Sequence, residues 1–138
     1  MAALTITAAN VSLVDGTPYA NQPVGEAAAA GSVVYRNDSG VWLKAQCDGT
    51  ATEAGANDVG ILLSTADGTG ARVSVAGPGC TVGLGTGTAG VVYAIGRVAG
   101  QIVPTADLLA TDKVTVIGIG IGTSRLQLTR LYNAGAVL

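Results

Sequence analysis

The sequence of 138 residues has no histidine and only two lysines, which narrows the chemistry that it can support. Histidine is the most frequent general base in enzymes, so the commonest acid–base catalyst is missing. Lys44 and Lys113 do not lie in a Ser-x-x-Lys arrangement. Acidic residues fall mostly in turn sequences such as Asp15-Gly-Thr and Asp67-Gly-Thr, where Asp and Gly favour tight turns. We therefore expect a protein that is not an enzyme and that needs no cofactor.

Charged residues are also scarce, at 12% of the chain with a net charge of −2. The five arginines are scattered and form no basic stripe with the lysines. Binding to nucleic acid depends on neutralising phosphates, so we expect no nucleic-acid partner. A soluble monomer normally has more surface charge than this, and the composition favours a chain that buries surface in an assembly or one whose surface consists of Thr, Ser, Gly and Ala.

Cysteine and long apolar runs are scarce too. Cys47 and Cys80 are the only cysteines, and without histidine they cannot complete a four-ligand zinc site. We expect reduced thiols, with a disulfide as the alternative. The longest apolar run, residues 114–122, contains three glycines and is shorter than the roughly 18 residues that cross a bilayer. The first residues show no basic segment followed by an apolar run, so we expect synthesis in a cytoplasm without a signal peptide.

The sequence does contain many short aliphatic runs separated by turn residues. Hydrophobic residues make up 49% of the chain but aromatic residues only 4%, and the β-branched residues among them favour strands. The spacing predicts strands near residues 32–35, 41–45, 59–63 and 72–75. A short helix is predicted over residues 105–111, after Pro104. The fold class predicted is all-β, a small barrel or sandwich with one or two short helical turns.

Two motifs recur at one offset and indicate an internal repeat. Tyr35 and Tyr93, each preceded by two valines, are 58 positions apart, and the glycines of the Val-Gly-Ile and Ile-Gly-Ile motifs, Gly60 and Gly118, have the same separation. The copies span residues 30–76 and 89–131, and we expect them to close one barrel together, within a domain of residues 25–138. Residues 1–24 show no strong core pattern and are predicted to form an extended N-terminal arm.

The second copy ends in a predicted long hairpin, residues 113–131. Successive side chains of a strand point to opposite faces, so the isoleucines of this hairpin share one face and the glycines the other. Alternating glycines mark the close approach of another backbone, either within the barrel or between subunits. These glycines are candidate interface residues: Gly118, Gly120 and Gly122.

Three further side chains are candidates for an interface. Trp42 is the only tryptophan, and it is either an interface anchor or a core residue. Arg125 and Arg130 lie on or beside the last strand, where they either pair with carboxylates of a partner or remain solvated. Gly85 to Gly90 fits the dinucleotide pattern G-x-G-x-x-G, but a strand follows it where that site needs a helix, so we interpret it as a link between the copies.

The order of these motifs resembles the small capsid decoration, or cement, proteins of tailed bacteriophages. The resemblance covers residues 25–131 and rests on stretches of both copies: residues 25–35, 40–45, 58–63 and 70–75 in the first, and residues 89–93, 102–104 and 117–120 in the second.

This resemblance implies a structural virion protein that binds the outer surface of an expanded phage head and stabilises it. It implies homotrimers, the major capsid protein as partner, and a location on the capsid exterior after synthesis in the bacterial cytoplasm. It also implies an N-terminal arm that adds a strand to a capsid protein sheet. The alternating stretch Leu4, Thr5, Ile6 and Thr7 is the candidate for that strand. The alternative function is a head-fibre base or a glycan-binding module of a virion surface.

Overall fold

The computed structural model describes residues 3–50, 52–54, 57–109 and 112–133, with side chains as far as residue 129. The strands in these ranges are β1 (Ser12–Asp15), β2 (Tyr19–Val24), β3 (Val33–Arg36), β4 (Trp42–Lys44), β5 (Val59–Leu62), β6 (Ala71–Ala76), β7 (Thr81–Gly83), β8 (Val92–Ile95), β9 (Ile102–Pro104), β10 (Val114–Ile121) and β11 (Arg125–Asn133). Single 3₁₀ turns are formed by Ala8–Asn10 and Thr105–Asp107. The predicted all-β class with short helical turns is confirmed.

The helix predicted over residues 105–111 is wrong as to its length. Among residues 105–109 only the turn Thr105–Asp107 forms, because the backbone is already extended again at Leu108, with φ −73° and ψ 144°. Residues 110 and 111 of the predicted helix lie outside the described residues. Pro104, which precedes the turn, provides no side-chain hydrogen bond to cap it. Three residues are too few for a stable α-helix without such support.

The strands form a closed barrel and an open sheet. The barrel has the order β2-β4-β3-β5-β6, and β6 pairs back with β2. The open sheet has six strands in the order β1-β7-β11-β10-β8-β9. Nearly all the pairs are antiparallel, and the exception is the short parallel contact between β2 and β4, where Val24 lies opposite Trp42.

The sequence repeat is visible as a shared strand order. The first copy contributes β4-β3-β5-β6 to the barrel, and the second copy contributes β9-β8-β10-β11 to the sheet. The expectation that both copies close one barrel is therefore wrong. In the first copy β2 fills the gap between β6 and β4 and closes the barrel, whereas in the second copy β7 and β1 extend the sheet beyond β11.

Strands β3 and β5 are buried on both faces, which explains why their sequences are continuously apolar. Val34 and Leu62 point into the barrel, whereas Val33 and Ile61 point towards the six-stranded sheet. The barrel interior is defined by these buried side chains: Val24, Ala28, Val34, Trp42, Leu62, Ala66 and Val75. A second apolar cluster, here called the shared core, joins barrel residues to the sheet residues Val82, Tyr93, Ile95, Ile117 and Leu126.

A β-bulge in β10 shifts the register between the two copies. Tyr35 lies opposite Val59 in the barrel, so the 58-residue offset would place Tyr93 opposite Ile117. Tyr93 instead lies opposite Gly118, because the pairing slips by one residue between Val116 and Gly118. A slip of one residue turns every later side chain of a strand to the other face.

The boundary of the predicted N-terminal arm also differs from the structure. Residues 12–24 do not extend away from the domain, because β1 pairs with β7 and β2 forms part of the barrel. Val24 is completely buried in the barrel interior, which gives this stretch a core contribution that its irregular sequence did not indicate. Only residues 3–11 remain outside the named strands at this end of the described chain.

Candidate interaction surfaces

The segment of residues 3–7, here called the N-terminal segment, lies extended at the edge of the six-stranded sheet. The Leu4 N–H donates a hydrogen bond of 2.9 Å to the carbonyl of Ile102 on β9. Leu4 and Ile6 are half-buried and pack against the shared core, whereas Thr5 and Thr7 are exposed. The predicted alternation of apolar and polar residues is therefore present, and its apolar side faces the chain's own body.

A glycine makes room for the Ile6 side chain. Gly31 has φ +91°, and a Cβ built on it would lie 2.6 Å from the Ile6 Cγ2. The side chain of Ile6 thus sits directly over the backbone at the entrance to β3. Beside it, a pocket of about 140 Å³ runs between residues 29–32 and 100–102. A wider groove of about 620 Å³ continues from there along Ala99 and Val98 to Thr65 and Asp67.

Trp42 lies in the barrel interior with none of its surface exposed, so it is not an exposed anchor of this chain. Its Nε1–H donates a hydrogen bond of 3.1 Å to Oε1 of Gln22 on β2, which satisfies its one polar atom. The Arg36 guanidinium lies 5.9 Å from the ring centre, and the Tyr19 ring packs 5.7 Å away. The structure places Trp42 in the second of the two predicted roles, that of a core residue.

The candidate glycines occupy three different settings. A Cβ on Gly118 would collide with the backbone carbonyl of Gln127, and one on Gly120 would collide with the carbonyl of Thr88. Both are buried, so the predicted backbone approach occurs, and it occurs within one chain. Gly122 is exposed in the turn after β10, with φ +52°, a conformation that favours glycine.

The outer face of the six-stranded sheet is exposed around Ile119, where it carries little charge, and is buried around Ala94, Val103 and Val116. Ile119 on β10 is 43% exposed and lies between Val92 on β8 and Gln127 on β11. Arg125 is exposed on the same face, opposite Ile121. Arg130 belongs to β11, but its side chain lies outside the described residues. Ile119 is therefore the main apolar contact that this face offers to another protein, and a single exposed isoleucine is common on protein surfaces.

The edge strand β1 is a further exposed element that the sequence pattern did not single out. All four of its residues are exposed, including Leu13 at 37% and Val14 at 43%. Natural edge strands usually have lysine, proline or a covering element that prevents pairing with other chains. The sequence Ser-Leu-Val-Asp has neither lysine nor proline, but the strand is short, ends in the charged Asp15 and has an irregular register between Leu13 and Asp15. It therefore offers only a few free backbone groups to an extended partner segment.

A polar cluster with one buried carboxylate joins the two copies beside the shared core. The Asp112 carboxylate is completely buried, and its Oδ1 lies 3.1 Å from Nε of Arg97, which also lies 3.7 Å from Oδ2 of Asp48. The Leu109 N–H donates a hydrogen bond of 2.8 Å to Asp112 Oδ2. Among the described residues Oδ1 accepts no hydrogen bond, so the Arg97 ion pair is what compensates its burial.

Cys47 lies next to this cluster, in surroundings that favour its protonated thiol. Burial, with a smaller effect of the Asp112 carboxylate, raises the pKa of the Cys47 thiol to about 12. A thiol that stays protonated at neutral pH is a poor nucleophile and a poor metal ligand. Cys47 and Cys80 are both buried free thiols, in agreement with the predicted reduced state.

Known proteins provide no further guide to these surfaces, because no family model, no curated protein and no solved structure matches the chain. In the part of the chain that the structure describes, no three acidic or cysteine side chains come close enough to hold a metal ion. Over the same residues, no helix is both long and apolar enough to span a membrane.

Proposed function

We propose that this chain is a decoration protein that binds the outer surface of a tailed-phage capsid and stabilises the expanded head. The observation that carries the proposal is the N-terminal segment. It is extended, it alternates between apolar and polar residues, and it lies outside both sheets, where a hydrogen bond from Leu4 joins it to β9. Such a segment can add a strand to a sheet of the major capsid protein, since pairing through the backbone needs no special side chains.

The exposed surfaces of the body support an assembled state. Ile119 on the sheet face and Leu13 and Val14 on the β1 edge are apolar and exposed, and the chain as a whole has few charges. In the proposed assembly three copies form a trimer on the capsid exterior, and these surfaces contact neighbouring copies or capsid subunits. Many such contacts on one shell act together, so each can be weak while the shell as a whole gains stability.

The test is to mix the purified chain with expanded and unexpanded heads of the phage that carries this sequence, and to count bound copies after sedimentation. We expect saturable binding to expanded heads, in multiples of three per binding position, and a higher temperature of head disruption. Absence of binding to both kinds of head would refute the proposal. A count of one copy per position would refute the trimer and leave capsid binding intact.

The role of the N-terminal segment has its own test on the same heads. The deletion covers residues 2–7, which include the whole N-terminal segment and end well before β1 and its pairing with β7. We expect this deletion to reduce capsid affinity at least about tenfold, as loss of two half-buried apolar anchors and a backbone pairing would do. Unchanged affinity would show that the segment is not the capsid-binding strand.

A further inference from the structure

The N-terminal segment lies in a groove of its own chain, and the groove covers its apolar side chains only in part. Leu4 and Ile6 are only half-buried, and a pocket of about 140 Å³ beside them stays unfilled. The body nevertheless makes room for one of these side chains, because Gly31 has no Cβ and the Ile6 side chain fills the space that a Cβ would need. The groove therefore recognises the segment without enclosing it.

The residues that follow the segment have the character of a hinge. Ala8–Asn10 form a single 3₁₀ turn with every residue exposed, and Thr7 before it makes no side-chain capping hydrogen bond. After the turn, Val11 returns to the body and its Cγ2 lies 3.0 Å from the position of a Cβ on Gly31. One short turn thus separates the N-terminal segment from Val11, which packs on the body. Rotation of the backbone within this turn would free the segment without disturbing β1.

We propose that the N-terminal segment is a detachable strap, which docks in its own groove in the free protein and must leave it before it can pair with a partner. The groove of residues 29–32 and 100–102 is then a peptide-binding site whose resident ligand is the chain's own Leu-Thr-Ile motif. This inference rests on the proposed function for the identity of the partner, whereas the docking itself is a property of the isolated chain. Docking in cis lowers the affinity for any other partner by the fraction of chains whose segment is free.

Hydrogen exchange of the full chain, without capsids, tests the docking. The Leu4 amide donates to Ile102, so its exchange should be slowed whenever the strap is seated. We expect Ile6→Ser to speed exchange at Leu4 by about tenfold, since it removes most of the apolar contact over Gly31. Thr5→Ala is the matched control, because Thr5 is exposed, and it should change the rate less than about twofold.

The amides of Cys47 and Leu128 report on the body, because they donate to the carbonyls of Gly96 and Cys80, which do not line the groove of the strap. They should keep their protection in the Ile6→Ser variant. If Leu4 exchanges equally fast in the variant and the unmodified chain, Ile6 does not hold the strap and the proposal fails. If Cys47 and Leu128 lose protection together with Leu4, the segment is an inseparable part of the fold and the proposal fails as well.

A peptide of residues 1–11 with a fluorescent label tests whether the groove binds the motif in trans. A short tether gives an effective concentration of about a millimolar, so the peptide is offered at that level. We expect it to bind the Ile6→Ser chain, whose groove is vacated, and not the unmodified chain, whose groove is filled. Binding to neither chain overturns the proposal, as does equal binding to both. Neither result depends on capsid binding, so failure of the strap and failure of the proposed function are distinguishable.

Discussion

The barrel and the six-stranded sheet use the same strand order but put matching residues in opposite environments. Ile61 of the barrel is buried in the shared core, whereas Ile119, 58 positions later, is 43% exposed on the outer face of the sheet. The bulge between Val116 and Gly118 accounts for the difference, because one extra residue reverses the faces of the strand beyond it. A sequence repeat therefore preserves strand order without preserving which side chains form the core.

The two regions also differ in what fills their interior. In the barrel, Trp42 lies opposite Arg36 on β3 and fills the interior. In the sheet, the residue 58 positions after Arg36 is Ala94, and Val103 lies opposite it. A closed barrel of five strands has one interior that side chains must fill. The open sheet has no enclosed interior and packs one face on the shared core. The following predictions test this contrast, in order of decreasing expected effect.

The largest effect is expected at Trp42. Trp42→Ala should lower the free energy of unfolding by about 4 kcal/mol, because it empties the barrel interior and leaves Gln22 Oε1 without its partner. Val103→Ala, at the matching position of the sheet, should cost only about 1–2 kcal/mol. Urea denaturation of both variants measures the difference. Equal losses would contradict the idea that the closed barrel depends on this one large side chain.

The second-largest effect is expected at Gly120, which occupies the position that Leu62 has in the first copy. Gly120→Ala should cost about 3 kcal/mol or more, because the new Cβ would collide with the Thr88 carbonyl, and backbone cannot move aside as a side chain can. Gly68→Ala is the control, since nothing lies within 4 Å of the position of its Cβ. Thermal unfolding of the two variants compares them. A Gly120→Ala protein as stable as the control would rule out the close approach.

The third prediction compares the two isoleucines that the bulge separates. Ile61→Ala should lower the free energy of unfolding by about 3 kcal/mol, because a buried side chain leaves a cavity in the shared core. Ile119→Ala should change it by less than about 1 kcal/mol in the isolated chain, since nearly half of that side chain is already exposed. Chemical denaturation at low protein concentration provides both values. A large loss at Ile119 would place it in the core and contradict the shifted register.

The smallest effect is a pH dependence at the junction of the two regions. In the folded chain the pKa of the Cys47 thiol is raised to about 12, mainly by burial. The unfolded thiol ionises near its usual value, so the contribution to stability is complete below about pH 8.5 and is lost between there and about pH 12.

Unfolding in urea at pH 7 and pH 10 measures this loss, which should not exceed about 1.4 kcal/mol for each pH unit. Cys47→Ala should be less stable at pH 7 but should lose less stability between the two pH values than the unmodified chain. Equal slopes in both proteins would show that Cys47 does not titrate differently in the folded and unfolded states.

The strands, and much of their environment, follow from local sequence patterns. The continuous apolar runs at β3 and β5, the turns between the strands and the repeat at 58 residues led to the right fold class. The alternation of Leu4, Thr5, Ile6 and Thr7 also matches the observed exposure of these residues. These features depend on the pleat of a strand and on turn chemistry, which act over a few residues.

The candidate interface residues were predicted less well from the sequence. Trp42 gave two equally reasonable interpretations, because a single large aromatic residue can fill a core or anchor an interface. The ion pair of the buried Asp112 with the exposed Arg97 had no signal in the sequence, since its two residues are 15 positions apart and neither belongs to a motif. The exposure of Ile119 depended on a bulge that no local pattern marks.

The 138 residues by themselves determined an all-β chain with two related copies of one strand order, because strand formation and turn formation are local. Only the tertiary structure decided that the first copy closes into a barrel through β2, that the second stays open beside β7 and β1, and that the N-terminal segment lies on its own body. These outcomes depend on pairings between residues that are far apart in sequence. Such pairings are selected by which apolar faces can bury one another, and no short stretch of sequence contains that information.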